Sequence, residues 1–233
     1  ITENDIQSVV TVLRSKFLTQ GPVVENFETS VAEYCGASFG FAVNSATSAL
    51  HLACLALDVG FGDKVWTSPI TFVASANCAI YTGAEIDFVD IDEKTYNICC
   101  NALAKKLENA KLKDMLPKVL IVVHLTGQSC DMEKLFHLGQ KYDFRIIEDA
   151  SHAIGGRYKG KSIGSCQYSD ICVFSFHPVK IITTGEGGII LTNEKELASK
   201  ITLLRSHGIT RDPTLMLNKN PEPWFYEQLE LGF

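Results

Sequence analysis

One lysine stands behind an apolar run and ahead of three glycines and two threonines in Cys172-Val-Phe-Ser-Phe-His-Pro-Val-Lys-Ile-Ile-Thr-Thr-Gly-Glu-Gly-Gly188. Lys180 comes four residues after the strand-like stretch 171–176, so its amine emerges at that strand's carboxyl end. Two other groups fall at comparable places. Glu148-Asp149 closes an apolar strand with carboxylates, and Asn44-Ser-Ala-Thr-Ser48 lies between a strand and an apolar helix, where hydroxyls and free amides form an anion site. Each has an ordinary reading alone: a solvated lysine, a structural ion pair, a helix cap. At one edge of one sheet, they supply an amine, an acid and a phosphate cradle, the three things pyridoxal phosphate requires. A lysine forms a Schiff base with its aldehyde. A carboxylate keeps its pyridine nitrogen protonated, so that the ring accepts the electron pair left by a broken Cα–H bond. Phe72, just beyond the strand 64–67, is placed to stack on a flat ring.

These groups meet only if the elements between them bring them together. Helices are predicted over 2–13, with a threonine N-cap, and over 22–35, with proline at its start and Gly36 at its end. Strand-like runs then alternate with helical patterns: 40–43 with 47–57, 64–67 with 72–81, 86–89 with 102–109, and 119–124 with 132–142. This alternation predicts an α/β fold with a mainly parallel sheet, whose strands are buried on both faces and so show no period-two pattern. Ligands belong at the carboxyl ends of such strands. After the strand 145–149, residues 157–162 read as a short strand turning back, succeeded by strands 171–176 and 188–192 and a helix over 194–205. The tail, with Pro213, Pro221 and Pro223, loses periodicity and shows no sign of a second domain.

Composition excludes several functions. The net charge of −6 lacks the basic excess of a nucleic-acid binder, and the longest aliphatic run, 119–123, is far shorter than the roughly 20 residues of a membrane helix. Neither nucleic acid nor membrane is therefore an expected partner, and no signal-peptide pattern opens the chain. The eight cysteines form no CxxC pair and the six histidines are scattered, so the cysteines read as reduced core residues and no metal site is expected. Gly155-Gly-Arg-Tyr-Lys-Gly-Lys-Ser162 matches the phosphate-loop pattern letter by letter, a nucleotide-hydrolase signal. The next residues, Ile-Gly-Ser-Cys-Gln-Tyr168, make a poor helix start, however, so a Lys-Gly hairpin is the expectation.

Four stretches, Asn44-Ser-Ala-Thr-Ser-Ala-Leu50, Thr71-Phe-Val-Ala-Ser-Ala-Asn77, Glu148-Asp-Ala-Ser-His-Ala153 and Phe174-Ser-Phe-His-Pro-Val-Lys-Ile-Ile-Thr-Thr-Gly-Glu-Gly-Gly188, resemble the DegT/DnrJ/EryC1/StrS family of sugar aminotransferases. The resemblance runs from about Thr2 to Phe233 in the right order and spacing. It implies a fold type I transferase large domain with a mainly parallel seven-stranded sheet, a homodimer with shared active sites, and pyridoxal phosphate held on Lys180. It further implies Asp149 at the pyridine nitrogen, His152 beside the phenolic oxygen, Phe72 stacked on the ring, and Ala46, Thr47 and Ser175 around the phosphate. His152 and Ser175 come from the resemblance alone. The related dehydratases carry histidine where this chain has Lys180.

Leu18-Thr-Gln-Gly21, Arg205-Ser-His-Gly208 and the tail Trp224-Phe-Tyr-Glu-Gln-Leu-Glu-Leu-Gly232 resemble the branch of the family that serves pseudaminic acid biosynthesis. That implies transfer of an amino group from L-glutamate to a UDP-linked keto-deoxy sugar, UDP-2-acetamido-2,6-dideoxy-β-L-arabino-hexos-4-ulose, in the cytoplasm. The alternative is a non-catalytic or regulatory homologue that binds cofactor or sugar nucleotide without turnover. The family pattern begins before Ile1 and continues past Phe233 with Asn-Tyr-Arg and a smaller C-terminal domain. Its asparagine reaches the neighbouring subunit's phosphate. Residues 1–233, helices 2–35 included, are thus expected to be the cofactor-binding large domain of a longer protein whose C-terminal domain is absent here.

Overall fold

In the run VLIVV, β-branched residues and leucine succeed one another without a polar interruption, which suits a strand covered on both sides. The computed structural model, which describes residues 1–219 and 222–233, buries all five of these residues in strand β4, Val119–Val123. Pro221, one of the residues read as breaking the tail, lies outside the described residues.

Seven strands form the main sheet: β1 (Phe39–Val43), β2 (Lys64–Thr67), β3 (Glu85–Phe88), β4, β5 (Arg145–Asp149), β8 (Ile171–Ser175) and β9 (Gly188–Thr192). Between β5 and β8 in the chain, β6 (Arg157–Tyr158) and β7 (Lys161–Ser162) form a separate hairpin. The order in the main sheet is β1-β9-β8-β5-β4-β2-β3. Strands β3, β2, β4, β5 and β8 pair in parallel, and β9 runs antiparallel to both of its neighbours, β8 and β1. The carboxyl ends of β1, β2, β4, β5 and β8 and the start of β9 therefore share one edge.

Helices cover both faces. Helices α3 (Ala46–Ala56), α4 (Ala74–Tyr81) and α7 (Lys195–Leu204) bury Leu50, Ala53, Cys78 and Ile201 against Val65, Ile121, Ile147 and Ile190. On the other face, α5 (Cys100–Lys111) and α6 (Met132–Tyr142) bury Leu103, Leu107 and Leu135 against Trp66, Leu120, Val122 and Ile146. Helix α2 (Pro22–Cys35) joins that layer over Phe174 and Leu191, and ends at Gly36 in the left-handed region, φ 79°. Helix α1 (Glu3–Leu13) begins in a capping box made by Thr2 and Asp5 and buries none of its residues.

Most boundaries fall within two residues of those predicted. The helix predicted from 72 starts at Ala74, which leaves Phe72 in the loop after β2. The hairpin predicted at 157–162 is the β6–β7 pair, with Lys159 at φ 47° and Gly160 at φ 80°. Positive φ at both turn residues is the primed geometry that hairpins favour. No helix comes directly after it, so the phosphate-loop letters of 155–162 lack the strand–loop–helix context that would make them bind phosphate. Among its described residues the tail carries a strand pair that the sequence does not predict: β10 (Ile209–Thr210) pairs antiparallel with β11 (Glu227–Gln228). All eight cysteines are free, six of them buried. Among the described residues no helix is long and apolar enough to cross a membrane.

Candidate active site

The N-terminus of α3 faces the sheet edge where β1 ends. Ser45, in extended conformation, caps the helix by accepting the Ser48 N–H at 3.1 Å. The amides of Ala46 and Thr47 are left with no helical carbonyl to bond, as first-turn amides are. Strand β9 begins directly alongside. A Cβ on Gly188 would lie 2.5 Å from the Ser45 carbonyl carbon and 2.6 Å from the Ala46 nitrogen, so only glycine allows this approach.

Between β8 and β9 the chain makes the loop that carries Lys180. Its base is closed by Phe176 N–H to the Gly187 carbonyl at 2.9 Å, and by Thr184 N–H (3.0 Å) and Thr183 Oγ1 (2.9 Å) to the Phe176 carbonyl. Lys180 N–H bonds the His177 carbonyl at 2.9 Å, while its Nζ makes no hydrogen bond or ion pair among the described residues.

Asp149 ends β5 and is 5% exposed. Its Oδ2 accepts from Ser75 Oγ on α4 at 2.6 Å, and its Oδ1 accepts from Ser151 Oγ at 2.6 Å and Ser151 N–H at 3.3 Å. Ser75 is in turn 2.7 Å from Thr71 Oγ1. With three donors the carboxylate is held in one orientation and stays satisfied while buried. Its neighbour Glu148 points to the opposite face, toward His124 Nε2 at 2.7 Å and Ser169 Oγ.

His152 accepts the Thr126 N–H on Nδ1 at 3.2 Å. Burial and the nearby Lys180 charge push its pKa below the ordinary 6.5, with Asp149 opposing.

These groups line one cavity of about 340 Å³, which holds all seven residues singled out from the sequence: Ala46, Thr47, Phe72, Asp149, His152, Ser175 and Lys180. Thr71, Ser151, His177 and Glu186 also line it, and Ser75 supports it from behind. None of these was assigned a role from sequence. Thr71 in the loop and Ser75 in the first turn of α4 bring their hydroxyls together, but nothing local says that the pair meets a carboxylate 74 residues from Ser75. No residue of the hairpin 157–162 lines the cavity.

The donor set fits pyridoxal phosphate. Unpaired helix-start amides and a glycine-permitted close approach suit a phosphate, a fixed carboxylate suits a protonated ring nitrogen, and an unpaired amine suits an aldehyde.

The chain's similarities to known proteins agree with this fit. The DegT/DnrJ/EryC1/StrS aminotransferase family matches residues 1–220. The UDP-4-amino-4,6-dideoxy-N-acetyl-beta-L-altrosamine transaminase of Campylobacter jejuni is 43% identical over all of this chain and 58% of its own length. Helicobacter pylori PseC, an aminotransferase involved in the biosynthesis of pseudoaminic acid, superposes with a TM-score of 0.86 at 33% identity, over 100% of this chain and 58% of its own. The PLP form of the putative sugar aminotransferase Spr1654 from Streptococcus pneumoniae gives a TM-score of 0.84 at 30% identity, covering 100% of this chain and 60% of its own. The chain thus spans about 58% of the length of the curated relative.

Proposed function

This chain belongs to the DegT/DnrJ/EryC1/StrS aminotransferase family, and from that premise we propose that the protein transfers an amino group from L-glutamate to the C4 ketone of a UDP-linked deoxy sugar. The substrate we favour is UDP-2-acetamido-2,6-dideoxy-β-L-arabino-hexos-4-ulose, and the setting pseudaminic acid or related surface-polysaccharide synthesis in the cytoplasm. The similarity to the Campylobacter jejuni transaminase supports the sugar. A homodimer with shared active sites is part of this reading.

The observation that carries the proposal is the unpaired Lys180 amine on one cavity with a three-donor Asp149 and the open start of α3. When bound, pyridoxal phosphate supplies an electron sink for the pair released as a Cα–H bond breaks. Lys180 Nζ would hold the cofactor covalently and, once the donor's amine has displaced it and freed it, would take the Cα proton of the donor; in the reverse half-reaction it would deliver a proton to C4 of the sugar. Asp149 retains the proton on the pyridine nitrogen, and Ser75 and Ser151 hold Asp149 in place. Ala46 and Thr47 bind the phosphate through backbone amides, assisted by Ser175 Oγ. Phe72, 71% exposed in its loop, covers one ring face. An intact Lys180 and Asp149 argue against a non-catalytic homologue.

The test begins with colour. Purified protein given pyridoxal phosphate should develop a visible band that borohydride bleaches, with the reduced cofactor recovered on the Lys180 peptide. Glutamate plus the UDP-linked 4-keto sugar should yield 2-oxoglutarate and the amino sugar, and a GDP-linked 4-keto sugar should turn over less well. A colourless protein that binds ATP instead would overturn the assignment.

A further inference from the structure

The loop after β4 does more than join it to α6. Asn97, 3% exposed, reaches into this loop from the segment before α5. Its Oδ1 accepts the Leu125 N–H at 3.1 Å and its Nδ2 donates to the Gln128 carbonyl at 2.9 Å. The two bonds bracket Thr126 and Gly127, which both take positive φ, 56° and 90°. In that conformation the Thr126 N–H points at His152 Nδ1, 3.2 Å away. The His152 backbone is packed on the same turn, where a Cβ at Gly127 would stand 2.7 Å from the His152 carbonyl oxygen.

A backbone N–H only donates, so the Nδ1 that receives it carries a lone pair, and the proton of a neutral ring sits on Nε2. Nε2 has no hydrogen-bond partner among the described residues, and His152 lines the cavity. We infer that His152 is a fixed-tautomer hydrogen-bond donor, presenting Nε2–H to an anionic oxygen in the cavity, and that Asn97 is the positioning residue that sets this tautomer through the Thr126 amide. The inference rests on the proposed cofactor reading only for the identity of that oxygen, the phenolic oxygen of the pyridine ring. The charged groups sharing the cavity are Lys180, Asp149 and Glu186. Burial and the Lys180 charge both disfavour a second proton on the ring, in line with a neutral donor. His152 then donates without bringing a positive charge beside Lys180.

The test is 15N NMR of the histidine ring nitrogens in this protein at neutral pH, first without and then with pyridoxal phosphate, the His152 signals being assigned by their loss in His152→Gln. The expected result is one unprotonated nitrogen, Nδ1, and one protonated nitrogen, Nε2, already present without cofactor. Asn97→Ala should replace that single state by a mixture of both tautomers. Asn97→Asp, which keeps the acceptor for Leu125, should retain the Nε2–H form and guards against a variant that fails to fold. Thr126→Gly keeps the amide and should change nothing. A protonated Nδ1 or an imidazolium at neutral pH would sink the inference, as would an Asn97→Ala protein, folded by circular dichroism, with its tautomer ratio unmoved. The right tautomer in a protein that takes up no pyridoxal phosphate would uphold the inference while removing the cofactor reading. The wrong tautomer in a yellow, active protein would do the reverse.

Discussion

The role proposed for Lys180 follows from its position: among the described residues its amine is left unpaired, on a cavity that also holds a carboxylate fixed by three donors. Lys180→Ala should still take up pyridoxal phosphate, without covalent attachment, and should lose turnover by at least the roughly 10²–10⁴-fold ascribed to a positioned proton-transfer group. Borohydride should then leave no cofactor on the protein; more than trace turnover would remove the residue from its role. Asp149→Asn keeps the shape and two of the hydrogen-bonding positions but not the charge. It should retain the visible band and slow the glutamate half-reaction severely in stopped-flow absorbance, since a neutral amide no longer favours a protonated ring nitrogen. An unchanged rate would reassign the carboxylate.

At the scale of elements, the proposed phosphate cradle is a junction between the start of α3 and the start of β9, and Gly188 is what lets them touch. Gly188→Ala should cost about 1–3 kcal/mol, the usual penalty for forcing atoms into a packed place. It should also weaken cofactor binding by parting β9 from the helix start. Urea unfolding and a pyridoxal phosphate titration measure the two effects, and a variant with both unchanged would show that the junction yields. The hairpin β6–β7 is the opposite case. Lys161 is exposed and lines no part of the cavity, so Lys161→Ala should leave cofactor affinity and turnover at the wild-type level. A collapse of activity in that variant would restore the phosphate-loop reading.

On the whole molecule, two apolar side chains that line the cavity stand exposed, Phe72 at 71% and Val179 at 76%, and their chain neighbours Val73 (55%), Ile181 (69%) and Ile182 (51%) are exposed as well. Large exposed apolar side chains grouped in this way suit an association site. In the proposed homodimer it is covered by the partner subunit. Sedimentation velocity should therefore find the wild-type protein self-associated and the double variant Val179→Asp, Ile181→Asp dissociated, with weaker cofactor binding in the latter. A wild type that stays monomeric and fully active would end the shared-site reading.

The features legible in the sequence are those whose causes are local. Pro22 and Gly36 bound α2, the Thr2 capping box starts α1, and the unbroken VLIVV run declares a doubly covered strand, because propensity, capping and burial patterns act within one or two turns of chain. The same logic placed Lys180, Asp149 and the start of α3 at strand ends. Glu148 and Asp149 had to face opposite sides of β5, since strand side chains alternate. Which of them faces the cavity depended on which helical layer covers which face: α3 and α4 lie over the Ile147 side, and with it the Asp149 side. The support from Ser75, the Asn97 brace on Thr126 and the two-residue pairing of β10 with β11 were silent for the same reason. Each is a contact between segments well apart in the chain, carried by a single polar side chain or a two-residue strand too short to show a period, and only the packing of the sheet and its layers brings the partners within hydrogen-bonding distance.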